Sequence, residues 1–147
     1  MTATHVHPSE VPSWEATTLL RSTSVGRLCV IDHGTPLALP VNFRLTDEAA
    51  PRIVIRTSPS GLLAAYQGPA SFEADEVDEE GHHAWSVIAR GELRHAYGDP
   101  TLPDPQPWLG DGRLLWLVLE VTALSARRFV AVGQADDDFA VEWSVEG

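Results

Sequence analysis

The sequence predicts a mainly β domain of six or seven strands, closed into a small barrel or sandwich with short flanking helices. Three observations carry this. Short apolar or alternating runs recur along the chain, turn-forming clusters such as His33-Gly34, Asp47–Pro51 and Ser58–Gly61 separate them, and helical periodicity is confined to two brief stretches. Pattern alone does not choose between barrel and sandwich. The order helix, three strands, short helix, three strands leans toward a barrel with helices plugging its open ends.

Residues 1–12 hold two histidines and two prolines with no periodic pattern, and read as a loose arm. Ser13 is a plausible N-cap for a helix through about Ser22, with Glu15 favourable in the first turn and Ala16, Leu19 and Leu20 forming its apolar stripe. Val25–Asp32 reads as a strand, His33-Gly34 as the turn, and Leu37–Leu45 as the returning partner. After the turn at Asp47–Pro51 comes the β-branched run Arg52–Thr57. Ser58–Gly61 breaks it, and Leu62–Gln67 suits one or two turns of helix. Ala70–Asp75 alternates, with Phe72 and Ala74 on one face and Ser71, Glu73 and Asp75 on the other.

An acidic loop, Glu76–Gly81, leads to the long strand Ala84–His95. There Trp85, Val87, Ala89 and Leu93 share one face, and Ser86, Ile88, Arg90, Glu92 and Arg94 the other. Asp99–Gly112 contains four prolines and reads as a surface loop. Arg113–Thr122 is apolar almost throughout, as befits a strand buried on both faces, and Ala126–Val132 reads as a further strand. The domain is expected over residues 13–135, followed by an acidic tail at 136–147.

Charge narrows the chemistry. The net charge of −11 repels phosphate backbones and anionic lipid, so neither nucleic acid nor membrane is an expected partner. All ten basic residues are arginine, which rules out a lysine Schiff base or a phosphate-loop lysine. Any phosphate must be held by arginine or by backbone amides. The N-terminus has no basic-then-apolar signal pattern, and no apolar run reaches the ~18 residues a membrane helix needs, so a cytoplasmic protein is expected. Cys29, the single cysteine, lies mid-strand and reads as an inert buried thiol. The pairs His5/His7 and His82-His83 lack a fixed geometry with other ligands, so no metal site is expected.

Three stretches together resemble the pyridoxamine 5'-phosphate oxidase-like, FMN-binding split-barrel family. They are Leu19–Phe43 (LLRSTSVGRLCVIDHGTPLALPVNF), Ile53–Ala65 (IVIRTSPSGLLAA) and Ser71–Leu93 (SFEADEVDEEGHHAWSVIARGEL). The AWSV of Ala84–Val87 is similar to a GWSV-type strand in a branch that also resembles nitroimidazole-resistance proteins. The resemblance implies an antiparallel split β-barrel and a homodimer with two FMN sites at its interface. It implies that Pro40, Val41 and Asn42 line the isoalloxazine edge. Arg56, Thr57 and Ser58, with Gly61 and the position of Leu62, would continue to the ribityl chain and phosphate. Trp85 and Ser86 would approach the cofactor, from the other subunit in one arrangement. One departure stands out: where the family commonly places a lysine on the phosphate, this chain has Leu62.

Each assignment has a plainer counterpart. Arg56-Thr57-Ser58 followed by Gly61 offers a guanidinium, hydroxyls and amides suited to a phosphate, or is an ordinary strand-to-helix turn. Trp85 edges a flavin or fills the core; Asn42 meets the pyrimidine edge or satisfies a strand end. No catalytic acid, base or nucleophile is named, because a flavin performs its own redox chemistry. The expected function is an FMN-dependent oxidoreductase acting on a small molecule. The alternatives are a non-catalytic flavin- or ligand-binding dimer and a deazaflavin-dependent reductase on the same barrel.

Overall fold

The structure is a computed structural model and describes residues 5–108 and 115–132. Its elements are β1 (His5–Glu10), α1 (Ser13–Arg21), β2 (Val25–Asp32), β3 (Thr35–Leu45), β4 (Ile53–Thr57), a 3₁₀ turn (Leu62–Ala64), β5 (Gly68–Asp78), β6 (His83–His95) and β7 (Leu115–Val132). The sheet order is β1-β7-β4-β3-β2-β5-β6, and a further β6–β7 pairing closes β7-β4-β3-β2-β5-β6 into an antiparallel ring with β1 added outside it. This is the split barrel that the sequence predicts. Among the described residues no helix is long and apolar enough to cross a membrane.

Strand alternation decides which side chains fill the ring. Leu28 and Val30 of β2, Phe43 and Leu45 of β3, Ile53 and Ile55 of β4, Phe72 and Ala74 of β5, Val87, Ala89 and Leu93 of β6, and Leu117 and Leu119 of β7 all point inward and are buried. Phe43 and Phe72 meet edge to face with centroids 4.6 Å apart. Helix α1 covers one end through Ala16 and Leu20. The β2–β3 hairpin turns at His33 and Gly34, whose φ angles of 47° and 80° match the two-residue turn that right-twisted strands favour.

A second, smaller cluster lies outside the ring. Val54, Val118, Ala96 and Leu102 pack together with Trp116 beside them. Register places Val54 opposite Val118 and Arg56 opposite Trp116, so these side chains occupy the outer face of β4 and β7. The segment after β6 folds back over that face and delivers Leu102. This explains why Arg113–Thr122 reads as apolar throughout: Leu117 and Leu119 face the barrel, while Val118 faces the returning segment.

Several expectations need correction. His5–Glu10 is not a loose arm but an edge strand paired with Val132 through Arg127; its partner lies over a hundred residues away, beyond the reach of local pattern. Ser13 is the first helical residue, and the N-cap is Pro12, which has no side chain able to cap. The stretch Leu62–Gln67 makes only the short 3₁₀ turn. Glu76–Asp78 belongs to β5, where pairing with Trp85, Ala84 and His83 outweighs the poor strand propensity of acidic residues. The two C-terminal strands are one, β7, running beside β6 along its whole length. Its irregularity is at Thr122, left unopposed where Gly91 pairs with Val121 and Arg90 with Ala123. The tail at 136–147 lies outside the described residues.

Candidate functional site

The outer face of β3 and β4 gathers most of the polar residues singled out in the sequence. Phe43 pairs with Ile55, Arg44 with Val54 and Leu45 with Ile53, so Asn42 and Arg56 occupy the next register position on the same outer face. Beyond them, Pro40 and Val41 continue along β3, Thr57 ends β4, and Ser58 follows it in the turn. The structure thus brings Pro40, Val41 and Asn42, in the middle of β3, beside Arg56, Thr57 and Ser58 at the C-terminal end of β4. Val41 points inward and packs against the core; Pro40 is exposed.

Arg56 is the electrostatic centre of this end. Its side chain is 19% exposed, and Nη1 donates to both carboxylate oxygens of Asp104, at 2.9 and 3.1 Å. Its guanidinium carbon lies 5.1 Å from the centroid of the Trp116 ring, a cation–π arrangement. The Gln106 backbone N–H first, and Arg56 second, hold the Asp104 carboxyl below the usual carboxylate range. Asn42 is engaged as well. Its Oδ1 accepts the Trp108 backbone N–H at 3.0 Å, and its Nδ2 donates weakly to the Ser24 carbonyl at 3.4 Å.

The turn after β4 is more open. The Ser58 and Ser60 hydroxyls lie 2.9 Å apart, and the Gly61 N–H donates to the Ser58 carbonyl at 3.3 Å. Gly61 has an extended backbone with φ −85°. Leu62, 38% exposed, turns toward solvent, while the next residue, Leu63, is buried. The side chain at position 62 is therefore free to be long and charged.

Trp85 and Ser86 lie elsewhere. On β7, Arg56 faces Trp116 whereas Trp85 faces Arg128, twelve residues further along. That is about 40 Å of strand contour. Trp85 is 7% exposed and belongs to the barrel core, so in the single chain its ring is a packing element; Ser86 is half-buried on the outer face. One chain does not bring these two residues to Arg56.

Sequence reading missed Asp104, Trp108 and Trp116, the immediate neighbours of Arg56 and Asn42. The proline-rich segment that carries Asp104 and Trp108 has no periodicity, so nothing local says which strand it returns to. The only signal was a lone acidic residue among prolines. It also missed His95, whose Nδ1 is 2.7 Å from the Tyr97 hydroxyl and whose Nε2 is buried without a partner among the described residues. Cys29 is half-buried, and burial pushes its thiol up, which leaves little thiolate at neutral pH.

A phosphate group fits the Arg56 position on the structure's own terms. The guanidinium, backed by Trp116, already holds an oxyanion, the Asp104 carboxylate, in a geometry that a phosphate oxygen pair can reproduce. Asp104 must yield for a ligand to take its place.

The comparisons with known proteins agree with this fold. A family model described as pyridoxamine 5'-phosphate oxidase matches residues 12–101. The chain is similar to the FAD binding protein from Mycobacterium smegmatis, at TM-score 0.67 and 26% identity over 84% of this chain and 99% of that one. A FAD-binding protein from Mesorhizobium loti gives TM-score 0.63 and 19% identity over 85% and 98% of the two chains. A candidate 5-nitroimidazole antibiotic resistance protein from Bacteroides thetaiotaomicron gives 0.62 and 10% over 89% and 95%. At the last two identities the likeness is one of fold. No curated protein matches the chain.

Proposed function

The chain belongs to the pyridoxamine 5'-phosphate oxidase family, and from that premise we propose that it is a flavin-nucleotide-binding oxidoreductase, active as a cytoplasmic homodimer on a small-molecule substrate. The observation that carries the reading is Arg56: a guanidinium fixed against Trp116 at a strand end, holding a carboxylate where the flavin phosphate would lie. The similarity to a FAD binding protein of nearly the same length supports the choice of a flavin over other phosphorylated ligands.

In this reading Arg56 takes the phosphate of FMN, or of the FMN portion of a larger flavin nucleotide, and Asp104 swings away. Thr57 and Ser58 contribute hydroxyls beside it, and the Gly61–Leu62 turn closes the phosphate end. Pro40, Val41 and Asn42 present the β3 edge to the flavin ring, largely through backbone groups. Ser86 of the partner subunit completes the site. The distance along β7 motivates that assignment, since no single chain brings position 86 near Arg56. A bound flavin supplies hydride and electron transfer. This chain's residues bind, orient and shelter it, and none is assigned as an acid or base.

Reduction of the flavin-loaded protein followed by stopped-flow mixing with nitroaromatic, quinone and aldehyde acceptors tests the proposal. Reoxidation by at least one acceptor faster than that of free flavin is expected. Reoxidation at the free-flavin rate with every acceptor would leave only a binding protein.

A further inference from the structure

Arg44 is the neighbour of Arg56 that the flavin reading leaves without a role. It pairs with Val54 on β4, and Arg56 lies two residues further along that strand. Two residues on is the same face, so the two arginines form a diagonal cross-strand pair on the outer surface. Such positions are about 7–8 Å apart, within reach of each other for side chains as long as arginine.

Arg44 is exposed and has no hydrogen bond or ion pair among the described residues. In a chain of 21 acidic residues that is notable, since Arg27, Arg52, Arg94 and Arg128 each hold a carboxylate. What Arg44 does face is the segment that carries Asp104. Arg44 and Pro105, the residue after Asp104, line one hollow. The Gln106 N–H and then Arg56 do most to hold the Asp104 carboxyl low, and the charge of Arg44 adds to them. One carboxylate thus stands before two guanidinium groups, bonded to the first and within the field of the second.

The charges do not balance. Asp104 brings one negative charge to two positive ones. A phosphate monoester at neutral pH brings close to two, because its second pKa is about 6. The chain contains no lysine, so a second cation for that phosphate has to be an arginine. We propose that Arg44 is that second cation, and that Arg44 and Arg56 together select a doubly charged phosphate over a singly charged one. The inference rests on the flavin reading above and adds to it a residue and a charge state.

Selection of the dianion gives FMN binding a pH dependence of definite sign. Affinity is full above the second pKa of the phosphate and falls as the pH drops through it. The charged groups around Arg44 are Arg56 on β4, Arg52 just before that strand with its partner Glu48, Asp104, and Arg21 across the hollow. None is a histidine. Hydrogen bonds, chiefly from Arg52 to Glu48 and from the Gln106 N–H to Asp104, hold both carboxyls below the usual range, so both stay ionised at about pH 5.

The test is fluorescence titration of the purified full chain with FMN and riboflavin at about pH 7.5 and about pH 5, for wild type, Arg44→Gln and Arg44→Lys. Wild type is expected to lose roughly fivefold in FMN affinity at the lower pH, and hardly any in riboflavin affinity. At the higher pH Arg44→Gln is expected to weaken FMN roughly fivefold, to leave riboflavin unchanged, and to cut the pH effect to about twofold. Arg44→Lys, which keeps the charge, should stay within about twofold of wild type. Equal FMN affinity in wild type and Arg44→Gln overturns the proposal and leaves the flavin reading intact. So does a loss that riboflavin shares, a loss that Arg44→Lys does not repair, or a pH effect as steep in Arg44→Gln as in wild type. Failure of wild type to bind either flavin overturns both.

Discussion

Asp104 occupies the place that a phosphate needs, so Asp104→Asn is expected to tighten FMN binding. The substitution keeps an oxygen able to accept the Gln106 N–H at 2.9 Å, so the local turn survives. It removes the charge that competes for Arg56. The Arg56–Asp104 contact pairs a 19% exposed side chain with a 47% exposed one. Solvent screening therefore holds its worth to about 1 kcal/mol, near the top of the range for exposed pairs. A ligand phosphate that no longer displaces it gains that amount, about fivefold in Kd. Isothermal titration with FMN and riboflavin on wild type and variant is the assay. Riboflavin, without a phosphate, should be unaffected. Unchanged or weaker FMN binding in the folded variant would refute the idea that the two anions share Arg56. The pH dependence has a definite sign. The folded-state pKa of Asp104 is depressed, so its contact is intact at neutral pH and lost only in acid, as pH falls through that depressed value. Across neutral pH the advantage of the variant should stay constant.

Further outcomes follow from the same geometry. Arg56→Ala should weaken FMN by roughly 10- to 100-fold and riboflavin hardly at all, while Trp85→Phe should lower the thermal midpoint more than it changes either affinity; titration and thermal melts on both variants separate the two roles. Leu62→Lys adds a cation at an exposed position and should raise the ratio of FMN to riboflavin affinity about tenfold, with an unchanged ratio showing that this turn does not reach the phosphate. Gly91→Ala should destabilise the fold severely, because a Cβ there would clash with the Glu120 backbone oxygen; a thermal midpoint within a degree or two of wild type would contradict the close β6–β7 approach.

The barrel was legible in the sequence because its period-2 alternation survives in most strands. Phe72 and Ala74, and Trp85 through Leu93, sort by face just as they sort by burial. The hairpin at His33-Gly34 announced itself through turn chemistry. What failed was whatever depends on distant pairing. His5–Glu10 becomes a strand only because β7 offers an edge, and Glu76–Asp78 only because β6 runs beside it. The site divides the same way. Arg56, at the end of β4, and Asn42 and Pro40, within β3, fall on one outer face by extension of the β3–β4 register, and they come together. Asp104 and Trp108 arrive on a segment without periodicity, and the outer cluster of Val54, Leu102 and Val118 that anchors it had no sequence signature beyond an unusually apolar β7. Trp85 was ambiguous by type, since an aromatic on an alternating face serves either core or ligand, and burial places its ring in the core.

The central claim is that Arg56 and its neighbours hold a flavin phosphate. The most direct measurement is titration of the apo-protein with FMN and riboflavin, followed by flavin fluorescence, with sedimentation run on the same samples. The account predicts saturable binding at one FMN per chain, FMN preferred over riboflavin by tenfold or more, and a dimer as the species that carries the ligand. Saturable binding of both ligands with equal affinity, or no saturable binding by a folded protein, would contradict it.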